Sequence, residues 1–348
     1  MMNYGVDTSV SYMGMTLRSP LVVSASPLSE DISNIMRMED AGAGAVVLYS
    51  LFEEQIPAAS KQDNYQAKYN SGQHMFSLAY SPESPTFRTR PDEYIELIRT
   101  AKQKVDIPII ASLNCTSLGN WINYARYIEQ AGADGLELNI YIVPTDINLT
   151  SGEIEQNYLD ILQAVKAAVK IPIAVKLNPF LTNVGNLAKK LDLAGADALV
   201  LFNRFYLPDI NLNKLQVEPN VFLSSPQAKR LPMRWIAILY GQIAANLGAT
   251  SGIHRGHDAV KLIMVGADVT MLCSTLLLHG IKQIKEIELE LCAWMEQHEF
   301  SAISQFQGIM SHQNNLNPQT FERVQYIQSL KTFKPEWSLA HDTSYYFG

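Results

Sequence analysis

The chain has 348 residues, 47% hydrophobic and 18% charged, which is enough apolar side chain for a sizeable core and more length than one barrel domain usually needs. A net charge of −7 argues against a nucleic-acid partner, because neutralising phosphate takes clustered Lys and Arg. Cys115, Cys273 and Cys292 form no disulfide framework or metal spacing, and no signal peptide or membrane-length apolar run appears, so a cytoplasmic protein acting on a small molecule is expected.

Residues 6–17, turning at Gly14, predict a hairpin that closes the bottom of the fold. An apolar strand follows near 21–25, then a helix over Ser29–Asp40. Ala41-Gly42-Ala43 leads into the next strand, 45–50. This junction recurs as Ala131-Gly132-Ala133-Asp134 before strand 135–142, Ala194-Gly195-Ala196-Asp197 before 198–203, and Val265-Gly266-Ala267-Asp268 before 268–273. Each copy has one physical meaning: an amphipathic helix ends, Gly takes the left-handed conformation, and a buried strand begins.

A second repeat, Ile107-Pro108-Ile109 and Ile171-Pro172-Ile173, opens strands 108–114 and 172–178, with Pro tolerated at a strand start. The remaining strand is 246–251. Helical periodicity predicts Asp92–Val105, Asn120–Gln130, Glu153–Val169, Asn183–Leu193, Met233–Ala244 and Asp258–Val265. Eight strands alternating with helices predict an α/β fold, a (β/α)₈ TIM barrel, with an open doubly wound sheet as the alternative. The whole of 1–348 reads as one barrel domain. Rim insertions span 51–91 and 204–230, and a helical extension spans 281–348, with helices at 281–298, 301–311 and 318–330 before an aromatic tail.

The strand ends carry the chemistry. Ser251-Gly252 and Cys273-Ser274-Thr275 follow the seventh and eighth strands, where barrels commonly grip phosphate, although each is also an ordinary turn. Lys176 closes an apolar strand and must meet a polar ligand or a partner such as Glu137. Asn114, Asn139 and Asn203 end three strands with amides suited to a planar heterocycle, or serve as strand caps.

With those residues assembled, the chain resembles the dihydroorotate dehydrogenase family of FMN-dependent barrels in pyrimidine synthesis, over about residues 12–310. The resemblance implies that FMN is the cofactor and that Ala25 and Ser26 line it. It also implies that Asn139 and Lys176 contact the flavin, that Asn203 is the family's strand-six asparagine, and that Ser251, Gly252, Cys273 and Ser274 grip its phosphate. The implied reaction is oxidation of dihydroorotate to orotate. Two departures bear on it. Ile142 aligns with the family's proton-accepting Cys or Ser, and Tyr49 stands at its strand-two lysine. Thr145 and Tyr141 are the leading replacement bases, with Cys115, Tyr49 and His74 also near the mouth. No counterpart of the family's Asn-rich substrate loop is evident within 70–82. A barrel that binds flavin or another phosphate ligand without catalysis is the alternative reading, and a flavin-free lyase using Lys176 a weaker one. An isologous homodimer is the default assembly.

Overall fold

A computed structural model describes residues 5–56, 90–119, 121–204, 207–218 and 221–332. Among these, eight parallel strands close a barrel: β1 (Leu21–Val23), β2 (Ala45–Phe52), β3 (Ile109–Cys115), β4 (Gly135–Ile140), β5 (Ile173–Leu177), β6 (Ala198–Leu201), β7 (Asn246–Thr250) and β8 (Val269–Leu272). The pairing runs in sequence order, and β8 closes on β1 through Thr270 opposite Leu21. The helices outside are α1 (Ile32–Asp40), α2 (Pro91–Lys104), α3 (Trp121–Gln130), α4 (Ser151–Ala168), α5 (Val184–Leu193), α6 (Arg230–Leu239), α7 (Gly256–Met264) and α8 (Ser274–His279). The barrel is therefore the architecture, not the open sheet.

The repeated junction does what its composition requires. Gly42, Gly132, Gly195 and Gly266 all take positive φ, between 93° and 116°, a region costly for any residue with a Cβ. The Asp of the repeat has a further task that its spacing alone did not reveal. Asp134 accepts the N–H of Ile109 at 2.7 Å, Asp197 that of Ile173 at 2.7 Å, and Asp268 that of Leu247 at 2.6 Å. Each carboxylate thus satisfies a backbone donor at the start of the preceding strand. Glu39, Glu129 and Asp192 clamp the turns that lead into β3, β5 and β7 in the same way, each through a pair of backbone N–H groups.

A hairpin, Val10–Tyr12 with Met15–Leu17, lies across the N-terminal end of the barrel. Tyr12, Met13 and Leu17 are buried against Val22, Ala45, Val47, Ile110, Ala174, Val200 and Met271, the inward-facing apolar residues of the strands. The Met13 N–H donates to Asn246 Oδ1 at 2.8 Å, which ties the plug to β7. The outward faces of the strands pack on the helices in a larger cluster.

Three expected elements differ. The helix foreseen over 233–244 is α6, starting earlier at Arg230 because Pro232 sits in the first turn, where no donor is needed. It ends before Gly241, whose φ is +76°. Residues 301–311 are not a helix but contain a short 3-10 turn, Ile303–Gln305, followed by Gly308 at φ +72°, where a Cβ would collide with the Tyr240 ring. Beyond α9 (Gln283–Gln297), the extension continues as a 3-10 turn at Pro318–Phe321 and α10 (Arg323–Thr332). His74, the loop at 70–82 and the aromatic tail lie outside the described residues, as does most of the insertion at 51–91. No helix among the described residues is long and apolar enough to cross a membrane.

Candidate active site

At the C-terminal end of the barrel, a cavity of about 110 Å³ opens between the ends of β1, β5, β6, β7 and β8. Ala25, Lys176, Asn203, Ser251, Gly252, Cys273 and Ser274, drawn from five strand ends, line it together. Sequence distance hides this convergence, and parallel closure produces it.

Lys176 combines both roles open to it. Its ammonium borders the cavity and also meets Glu137 Oε1 at 3.1 Å. The two side chains are only 8% and 1% exposed, so the pair is fully desolvated and neither charge can be removed without stranding the other. The Cys273 thiol faces the same space. Burial pushes its pKa up, and the positive charge of Lys176 partly offsets that rise.

Of the three strand-end asparagines, Asn203 lines the cavity, and Asn114 and Asn139 are not among its lining residues. Asn203 Nδ2 donates to Asn139 Oδ1 at 2.8 Å, bridging over β5. Asn114 stands opposite Asn139 in the β3–β4 register and is half-buried.

The turn after β7 is the most constrained part of the wall. Ser251 and Gly252 both take positive φ, 73° and 75°. A Cβ on Gly252 would lie 2.3 Å from the backbone N of Lys229, so only glycine lets the two segments meet. Ser224, inside the second insertion, is the hub that sequence reading missed. It is buried; its hydroxyl accepts the Gly252 N–H at 3.2 Å and lies 2.9 Å from Ser274 Oγ, which also accepts the Ser224 N–H at 2.9 Å. His254 Nε2 meets the Ser224 carbonyl at 2.6 Å, and Lys229 pairs with Asp258 at 2.8 Å. The only signal for Ser224 was its place just before Pro226, and that marks a turn, not a site. Arg204, exposed at the cavity edge, carries no sequence signal of its own either.

Tyr49, Thr145, Tyr141, Cys115 and Ser26 stand away from the cavity lining, contrary to expectation. Tyr49 does not face the mouth. One extra residue in β2 between Val47 and Ser50 reverses the alternation. Ser50 therefore points inward to Ser112 Oγ at 2.8 Å, while the Tyr49 ring packs edge-on against Tyr94 of α2 at 5.0 Å. Thr145 lies in a wholly exposed stretch, 143–150, and neither it nor Tyr141 lines the cavity. Cys115 is buried in the outer cluster, and burial pushes its thiol well above the ordinary value. Ile142 packs partly into that same cluster. Ser26 is buried one step beyond the lining residues, with its carbonyl accepting from Ser29.

The model of the dihydroorotate dehydrogenase family matches residues 90–295, more than half of the chain. The chain belongs to that family. The catalytic subunit of dihydroorotate dehydrogenase B (NAD(+)) from Thermoplasma acidophilum is 25% identical over 309 residues, covering 87% of this chain and 98% of that protein. Its counterpart from Methanothermobacter thermautotrophicus is 25% identical over 316 residues, 88% of this chain and 99% of that protein. A chloroplastic dihydropyrimidine dehydrogenase (NADP(+)) from Arabidopsis thaliana is 24% identical over 332 residues, 87% of this chain and 76% of that protein. These relatives are dehydrogenases, so the family level is that of an oxidoreductase. Family membership accounts for the barrel and for the place of the cavity at its C-terminal end.

Proposed function

We propose that the chain is a flavin-dependent dehydrogenase that holds FMN in this cavity and acts on a CH–CH bond of a small planar heterocycle, with dihydroorotate the first candidate. One observation carries the reading: a buried lysine from β5 and the small-residue turns after β7 and β8 border a single cavity. The residues fit the group. Ser224 and Ser274, with the backbone of Ser251–Gly252, would take the phosphate, and Lys176 with Asn139 and Asn203 would meet the polar edge of the ring. Ala25 beside them offers a small apolar surface. Bound FMN supplies a two-electron acceptor. The chain's own residues orient it and place positive charge near its polar edge.

The purified chain, given FMN, is expected to turn yellow and to bleach under dithionite. Protein that stays colourless after reconstitution overturns the reading. Lys176→Ala is expected to weaken FMN binding about tenfold to a hundredfold, the loss of a charged hydrogen bond worth roughly 1.5–3 kcal/mol. A variant with wild-type flavin affinity and a lower melting temperature would make the Glu137 pair purely structural.

A second reading, a barrel that binds flavin without turnover, is favoured by the composition of the wall. Among the described lining residues there is no carboxylate, imidazole or phenol, and the one thiol, Cys273, has its pKa raised by burial. A screen in which any dihydropyrimidine reduces the bound flavin rapidly would remove this reading. A homodimer and a small-molecule substrate complete the proposal, both open to direct measurement.

A further inference from the structure

We propose that Glu137 is a positioning residue that fixes the ammonium of Lys176 under the cavity and cancels much of its charge, thereby setting how strongly the site prefers reduced over oxidised flavin. The inference rests on the flavin reading above and concerns a residue that touches neither cofactor nor substrate.

The placement follows from strand geometry. Glu137 and Asn139 share the inward face of β4, one pleat apart, and Asn139 is the register partner of Lys176 on β5. Asn139 therefore sits level with the lysine, while Glu137 lies one layer deeper, diagonally below it. The lysine borders the cavity, and the carboxylate is sealed beneath it at 1% exposure. Ser112, the register neighbour of Glu137 on β3, directs its hydroxyl to Ser50 instead. Glu137 Oε1 is held by Lys176, and Oε2 has no hydrogen-bond partner among the described residues. The carboxylate is thus anchored by the ammonium rather than by a wider network.

The electrostatic consequence is specific. Oxidised flavin that takes up two electrons and one proton carries one negative charge more than before. A lone buried ammonium would favour that form strongly in a site shielded from water. An ammonium with a carboxylate 3.1 Å behind it presents a dipole instead of a net charge, and its pull on an anion is weaker. Lys176 lines the cavity, whereas Glu137, paired with Ala174, lies a layer deeper in the barrel and does not line it. The pair is therefore oriented along the barrel, positive end toward the cavity.

The test is the midpoint potential of bound FMN, measured by spectroscopic titration against a reference dye, with no substrate present. Glu137→Gln keeps the shape and an acceptor oxygen but removes the negative charge. It is expected to raise the preference for reduced over oxidised flavin about tenfold, which is about 30 mV for a two-electron couple. The double variant Glu137→Gln/Lys176→Met, again without net charge, is expected to return toward the wild-type potential. If Glu137→Gln does not fold, Glu137→Asp withdraws the charge by one methylene and is expected to shift the potential the same way, by less. An unchanged or lowered potential in these single variants overturns the inference while leaving the flavin reading intact. Wild-type protein that takes up no FMN overturns the flavin reading itself and this inference with it.

Discussion

At the N-terminal end of the barrel, Asp134, Asp197 and Asp268 each satisfy a strand donor, Glu39, Glu129 and Asp192 clamp the intervening turns, and Tyr12 fills the interior. At the C-terminal end, Lys176 of a desolvated ion pair, the strand-end Asn203 and two consecutive left-handed residues border a cavity. The first end directs its polar groups at its own backbone. The second places several of its polar groups against open space, where the proposed FMN would sit. This division separates residues whose loss is felt as stability from residues whose loss is felt as binding.

The largest effect that would break the comparison belongs to Tyr12. Its side chain is completely buried at the base of the barrel, and Tyr12→Ala is expected to cost about 3–5 kcal/mol through lost burial and the cavity left behind. Urea denaturation checks the loss, and FMN affinity measured under conditions where the variant stays folded is expected to be unchanged. A variant of normal stability with impaired flavin binding would show that the two ends are not separable.

Asp258 gives a smaller, pH-dependent effect at the other end. It accepts the backbone N–H groups of His254 and Arg255 and pairs with Lys229, whose backbone abuts Gly252. Burial raises its pKa, but the Lys229 ammonium and the two backbone donors outweigh that, and the net value is lowered. A carboxyl depressed in the folded state contributes stability above its unfolded value, about 3.9, and that contribution fades as pH falls through the lower folded value. Asp258→Asn is therefore expected to be less stable than wild type at pH 7 by roughly 2 kcal/mol, with the gap closing below about pH 4. FMN affinity is expected to drop as well, because Lys229 holds the Ser251–Gly252 turn in place. A stability gap that persists unchanged at pH 3 would assign the loss to packing and not to the charge.

The same division explains what the sequence disclosed. The barrel was legible because its signal is local and repeated: a glycine that must go left-handed, followed by an apolar strand, four times over. Lys176, Ser251, Gly252, Cys273 and Ser274 were legible because strand-end position alone puts them at the mouth. Tyr49 misled because a single-residue bulge in β2 reverses which side chains face inward, and no residue type announces that bulge. Ser224 was hidden for a different reason. It lies in an insertion without periodicity, and it reaches the site through a hydroxyl contact with Ser274, fifty residues away.

The smallest effect sharpens the comparison from the loop after β4, where the family's base would sit. Thr145 is exposed within 143–150 and does not border the cavity, so Thr145→Ala is expected to change stability by less than about 0.5 kcal/mol and FMN affinity not at all. Flavin reduction by a dihydropyrimidine, followed at the flavin absorbance, then decides what the loop does. If that reduction slows at least tenfold while affinity and stability hold, the loop must close over the cavity during turnover and carry Thr145 to the substrate. If it is unaffected, proton transfer belongs to another group, and the family's strand-four loop has lost its catalytic part in this chain while the cofactor end, built on Lys176 and the turns of β7 and β8, has kept its own.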